Sequence, residues 1–292
     1  MKKGLIFAVM AYTIWGLLPA YWRWFDQISA GEILSHRIVW SFFFVIALIA
    51  IQRRGKNIRA LLGNRSSLLK LTASSLLITS NWLIFIWAVN NGHVIETSLG
   101  YYLTPLINVV LAIVFLREKP TTGQWLAIAL AGSGVLLVAI DYGSFPWISL
   151  SLAISFGLYG LVKKRMRIDA TDGLMVETAI VVPVALIYWI SIGASHEAQA
   201  WSLPTGTFIA LFCSGAATAI PLLLFANAAS RLPLSMLGFI QYIGPTLTLG
   251  LSVFVFKETI TPVLLISFSL IWTALIVYAI ASIQSARTLR TA

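Results

Sequence analysis

Apolar stretches recur along the chain with short polar breaks between them. Each is about 20 residues long, enough to cross a hydrocarbon core of about 30 Å. Ten are read, at 4–24, 31–51, 68–90, 95–116, 122–140, 146–162, 173–193, 206–227, 233–256 and 261–283. The pattern predicts an all-α integral membrane protein of ten transmembrane helices. The longest break, 52–67, is basic and is read as a cytoplasmic loop. The other breaks span a few residues, so successive helices are expected to pack as antiparallel neighbours.

The polar residues inside these spans are not scattered. On span 4, Ser98, Tyr101, Tyr102, Pro105 and Asn108 are spaced three, one, three and three, which places them on one helical face. Adding 140 to these numbers gives Gly238, Gln241, Tyr242, Pro245 and Thr248 on span 9. Arg117 and Glu118 likewise become Lys257 and Glu258. A weaker match at an offset of 141 sets Trp15-Gly16-Leu17 against Phe156-Gly157-Leu158. The chain therefore reads as two five-helix units, 1–143 and 144–292, in one compact membrane domain. An odd number of crossings per unit makes the second copy enter the membrane upside down. Inverted repeats of this kind place a transport site where the repeats meet.

Charge supports the topology. The chain is 59% hydrophobic and 10% charged, against about 25% charged in a soluble domain. Its net charge of +10 invites a nucleic-acid reading, but the positions oppose it. All of the 20 Lys and Arg except Arg23, Arg37 and Lys257 fall in the tails or in alternate loops. That is the positive-inside pattern, with both termini cytoplasmic. The first span follows Lys2 and Lys3, but it is too long and too rich in Trp for a signal peptide, so it is expected to be retained. Cys213 stands alone, with no disulfide or metal spacing, and is read as ordinary packing.

Polar groups facing lipid would lose hydrogen bonds at several kcal/mol each, so the faces of spans 4 and 9 should look inward. Pro105 and Pro245 each lack an N–H and clash with the carbonyl four residues back, so each should act as a kink or hinge. Span 1 presents Tyr12, Trp15, Pro19 and Trp22 at helical spacing. Tyr12 and Trp15 are candidate wall residues for an amphipathic solute, or core packing. Trp22 and Trp24 read as an interfacial belt. Asn81, midway along span 3, is either helix–helix glue or a solute contact. Arg37 in span 2 suits a solute carboxylate, and Glu177 in span 7 suits a coupling proton; the alternative for both is pairing or snorkelling near the interface. Glu96 and His93 are expected at a solvated helix start, with Glu96 favoured by the helix dipole. Ala127, Ala131, Gly132 and Gly134 on span 5 allow close helix approach, within the subunit or at a dimer seam.

Several stretches carry a resemblance to a known family. They are YTIWGLLPAYW (12–22), EILSHRIVWSFFF (32–44), NWLIFIWAVNNGHVIETSLGYYLTPLINVVLAIVFLREK (81–119), FGLYGLVKK (156–164), ETAIVVPVALIY (177–188) and LGFIQYIGPTL (237–247). In order and in content they resemble the RarD group of the EamA-type drug/metabolite transporter superfamily. Tyr102 and Thr104 stand where members often have Phe and Asn. The resemblance implies a ten-helix inner-membrane carrier of two inverted halves. Its path would be lined chiefly by helices 1, 3, 4, 6, 8 and 9.

The expected function is secondary transport of a small amphipathic metabolite or drug, amino-acid-like or aromatic, by alternating access. The family tilts the direction to export. The substrate-path candidates are Tyr12, Trp15, Arg37, Asn81, Tyr101, Tyr102, Asn108, Gln241, Tyr242 and Thr248. No GxxxxGK[ST] occurs, so any coupling is to a proton or counter-solute. No cofactor, metal or nucleic-acid partner is expected, and the carrier is read as a monomer or homodimer among membrane lipids. A lipid scramblase and a channel are the alternatives. An enzyme would need a nucleophile with a base, and neither His36 nor His93 is placed beside Cys213.

Overall fold

The computed structural model describes residues 2–25, 27–91, 93–143, 145–166, 168–195, 199–200, 203–255 and 261–291, with the side chains of 86, 89–90, 94–95 and 286–291 outside that description. The described chain is helical. Its helices are α1 (Lys2–Trp22), α2 (Ala30–Ile51), α3 (Gly55–Gly63), α4 (Arg65–Asn90), α5 (Val94–Leu116), α6 (Thr122–Tyr142), α7 (Trp147–Arg165), α8 (Ala170–Ala194), α9 (Thr205–Ala229), α10 (Leu234–Gln241), α11 (Ile243–Gly250) and α12 (Pro262–Thr291). A 3₁₀ turn at Arg23–Phe25 follows α1, and a π-helical turn at Leu251–Val255 follows α11.

Nine helical segments among the described residues are long and apolar enough to span a membrane, counting Leu234–Val255 as one. The sixth expected span, α7, is not among the nine. It lies against α5, α4 and α9, and most of its length is buried. A helix surrounded by protein needs less apolar surface than one facing lipid. The helices that border the bundle do face outward with large apolar side chains, such as Leu136 and Ile140 on α6 and Ile276 and Ile280 on α12.

Local sequence sets the helix ends. The Thr121 hydroxyl and the Gln124 side chain close a reciprocal capping box on α6, which satisfies two otherwise free backbone donors. Gly143, at φ 75°, ends the same helix in the left-handed region that glycine adopts without strain. The Glu118 carboxylate accepts from the backbone N–H groups of Leu234 and Ser235 and so caps α10 from another helix end. The matching residues Lys257 and Glu258 lie outside the described residues, as do Arg167 and His196.

Some expectations change. The supposed loop 52–67 contains α3, whose Ile58 packs against the Leu71, Met166 and Val176 cluster. Arg54 pairs with Asp169 and Asp172 and so ties this segment to the start of α8. Ala127, Ala131 and Gly134 face α12 of the same chain: a Cβ on Gly134 would stand 2.9 Å from the Ser267 carbonyl. Cys213 is exposed on α9 and takes no part in core packing.

Helix contacts follow a regular scheme. α2 packs on α8, α5 on α10, and α6 on α12. α1 lies against α9 and α11, while α7 lies against α4 and α5. The centre holds an aromatic cluster in which Tyr12, Trp15, Phe156, Tyr159 and Phe225 meet.

Candidate functional site

Three polar constellations sit inside this apolar shell. The first joins spans 4 and 9. Asn108 Nδ2 donates to Gln241 Oε1 at 2.9 Å, and the Tyr12 hydroxyl approaches the same oxygen at 3.5 Å. All three residues are buried. Gly238 permits the contact: a Cβ there would lie 2.7 Å from the Pro105 carbonyl and 3.0 Å from Asn108 Cβ. Beside Gln241, the Tyr242 hydroxyl donates to the Tyr102 carbonyl at 3.3 Å, while the Tyr102 ring meets Phe268 edge-on. Thr248 donates to the Gly16 carbonyl at 3.2 Å. Among the described residues, none hydrogen-bonds Asn108 Oδ1.

The inward faces of spans 4 and 9 therefore meet in direct contact. The two prolines also have different backbone settings. Pro105 lies within the continuous helix α5, whereas span 9 is interrupted at Tyr242, three residues before Pro245.

The second constellation surrounds Arg37. Its Nε donates to Thr218 Oγ1 on α9 at 3.1 Å. Its guanidinium carbon stands 4.5 Å from the Trp22 ring centroid and 5.5 Å from that of Trp82. The phenols of Tyr101 and Tyr21 lie within electrostatic range. Tyr101 keeps 52% of its surface exposed, and Phe85 flanks it. A charge held this way inside a span costs about 3 kcal/mol on insertion scales, and each indole face returns about 0.5–2 kcal/mol. Trp22, read from sequence as part of an interfacial belt, packs its ring on Arg37. Trp24 is 67% exposed.

The third is a buried ion pair. Lys163 Nζ lies 2.6 and 2.7 Å from the two carboxylate oxygens of Glu177, and Ser74 donates to Glu177 Oε1 at 2.6 Å. Lys163, counted among the loop charges from sequence, belongs to the last turn of α7 and is 5% exposed. Removing one partner of such a pair costs about 3–5 kcal/mol. A cavity of about 20 Å³ separates Glu177 from Thr218, lined also by Trp82, Tyr159 and Ile78. It has room for about one water.

The remaining candidates lie apart from these groups or in the core. Trp15 packs in the central aromatic cluster. Asn81 donates to the Leu152 carbonyl and to Ser155, so it bridges α4 to α7. Glu96, expected at a solvated helix start, is buried, with His93 at 2.9 Å and the Tyr142 hydroxyl at 2.7 Å. Sequence reasoning also missed Glu32, a buried acceptor for the Gln199 and Ala200 amides.

The comparisons agree with this architecture. The EamA-like transporter family matches residues 2–140. Protein RarD of Salmonella typhi is 43% identical over 286 residues, covering 98% of this chain and 97% of that protein. The chain belongs to the RarD group of EamA-type transporters. Another relative, the uncharacterized transporter YojE of Bacillus subtilis, is 43% identical over 287 residues, covering 97% of this chain and 95% of that protein. A Pseudomonas aeruginosa protein named "Chloramphenicol-sensitive protein RarD" is 30% identical over 296 residues, covering 99% and 96%. One solved crystal structure superposes with a TM-score of 0.74 at 16% identity, covering 96% of this chain and 98% of that one. That likeness shows the fold alone. As a RarD-group protein, the chain is a multi-pass membrane transporter.

Proposed function

We propose that this transporter is a secondary carrier that exports a small amphipathic organic solute across a bacterial-type inner membrane by alternating access. The observation that carries the reading is the Asn108–Gln241 contact. It joins the polar faces of two proline-bearing spans inside a molecule whose outside is apolar. Such a contact is a gate that polar solute groups replace when it opens.

The two units, 1–143 and 144–292, are inverted repeats in this account, and both termini are cytoplasmic. The packing supports the division. Under the offset, α5 against α7 becomes span 9 against α1, and α4 against α7 becomes α9 against α1, and both contacts occur in each form. Gly157 abuts Ile107, and Gly16 abuts Leu247; these are the same pair shifted by 141 and 140. Inverted repeats in unlike conformations exchange them to face the other side. Tyr12, Trp15, Arg37, Asn81, Tyr101, Tyr102, Asn108, Gln241, Tyr242 and Thr248 border the path. Pro105 and Pro245 mark the hinges, and α7 completes the ten spans. Glu177 is the coupling candidate: a proton on its carboxylate releases Lys163. The chain performs no catalysis in this reading.

The test is counterflow in proteoliposomes, using solutes that raise the melting temperature of the purified protein. Saturable counterflow, lost in Gln241→Ala, supports the reading. Unsaturable electrical conductance indicates a channel, and lipid dequenching without solute flux indicates a scramblase. Either outcome removes the carrier mechanism.

A further inference from the structure

Arg37 and Lys163 are both cations set among apolar helices, and they are neutralised differently. Lys163 has Glu177 within 2.7 Å. Among the described residues Arg37 has no carboxylate partner, and its hydrogen bond there goes to the neutral hydroxyl of Thr218. We propose that Arg37, clasped between Trp22 and Trp82, binds the carboxylate of a monoanionic amphipathic solute. This rests on the carrier reading and narrows its solute class.

The geometry favours an end-on carboxylate. A guanidinium has five N–H donors in a rigid plane. The Nε–H is committed to Thr218 on α9, which fixes the plane. The four N–H groups of Nη1 and Nη2 remain, and they form the fork that a carboxylate meets with two parallel bonds. Indole rings lie over the guanidinium at 4.5 and 5.5 Å. They keep water from competing, so a charge-assisted bond is stronger here than in solution. One positive charge in an apolar setting matches one negative charge better than a dianionic phosphate. Half-exposed Tyr101 and neighbouring Phe85 supply a flank for an apolar body.

The experiment uses the purified full-length protein and three probes of one shape: 3-phenylpropionate, 3-phenylpropionamide and 3-phenylpropylamine. Inorganic phosphate is a fourth. The carboxylate raises the melting temperature in the millimolar range, and the other three do not. Arg37→Gln abolishes that shift, and Arg37→Lys, which keeps charge but loses the fork, weakens binding roughly tenfold. Equal binding of carboxylate and amide overturns the proposal, as does no carboxylate binding at all. So does undiminished affinity in Arg37→Lys, which decides the matter if Arg37→Gln fails to fold. Counterflow separates the two readings. Amide or amine flux without carboxylate flux removes the anion site and keeps the carrier. Arg37-dependent carboxylate binding with no saturable flux of any probe keeps the anion site and removes the carrier.

Discussion

α5 runs unbroken from Val94 to Leu116 through Pro105, whereas its counterpart, with Pro245 at the matching position, is divided into α10, α11 and a π-helical turn. Proline is common to both, so proline alone does not decide the break. Two neighbours differ. Gly244 and Gly250 stand where, at the 140-residue offset, α5 has Thr104 and Val110, and each glycine in a helix costs about 1 kcal/mol relative to Ala. Packing differs too. The Glu96–Leu116 segment buries 44% of its most apolar window, against 28% for Leu234–Val255. α5 is held between α7 and α10, while α11 leans chiefly on α1. The same motif therefore stays helical where both neighbours and composition support it, and yields where neither does.

The largest expected effect is at the contact the two spans share. Gly238→Leu drives a side chain into the Pro105 carbonyl, which is backbone and cannot move aside. It should cost about 3 kcal/mol or more, read as loss of cooperative thermal unfolding in detergent. If folding is retained with an unchanged melting temperature, the spans do not meet as described.

Next come Gly16 and Gly157, which contrast the two spans' surroundings directly. A Cβ on Gly16 meets the Gly244 carbonyl at 2.8 Å and Leu247 Cβ at 2.9 Å, both fixed; one on Gly157 meets the ends of the Ile107 and Leu111 side chains. Gly16→Ala should therefore lower the melting temperature more than Gly157→Ala, by an overpacking cost of about 1–3 kcal/mol against a smaller one. The reverse order would break the comparison.

Smaller still is the polar link. Asn108→Leu or Gln241→Leu alone leaves a buried partner unpaired, at about 1–3 kcal/mol. The double substitution should cost less than the sum of the two, which a double-mutant cycle measures. The smallest effect has the opposite sign. Gly250→Ala meets open space and Gly244→Ala only an ordinary contact with the Tyr12 carbonyl. Each should add up to about 1 kcal/mol of helix stability. Hydrogen-exchange protection over 243–255 should rise toward that of α5. If it does not, composition is not what divides span 9.

Much of this was legible in the sequence because spans and helical faces are local patterns. The ten apolar stretches correspond closely to α1, α2, α4 to α9, the divided span and α12. The inward turn of Asn108 and Gln241 followed from the cost of polar groups in lipid. What stayed hidden depends on residues far apart in the chain. Lys163 looked like a loop charge because its partner Glu177 lies on the next helix. Glu96 looked solvated because Tyr142 reaches it from 46 positions away. The contact of Trp22 with Arg37 was hidden because Arg37 arrives from α2. The different fates of Pro105 and Pro245 turned partly on packing that no single-span pattern contains, although Gly244 and Gly250 were visible. α3 did leave a signal, since Ile58, Leu61 and Leu62 recur at helical spacing in the basic break.

The central claim is that Asn108 and Gln241 form a gate reached from one side of the membrane at a time. Asn108→Cys and Gln241→Cys, each with Cys213→Ser, can be probed in oriented vesicles with a membrane-impermeant thiol reagent. Outward-facing Ile140→Cys serves as the lipid-exposed control. A gate between these two residues should label well above that control, with a stabilising solute shifting the labelled side. Labelling no faster than at Ile140→Cys, or equal labelling from both sides that ignores solute, would contradict it.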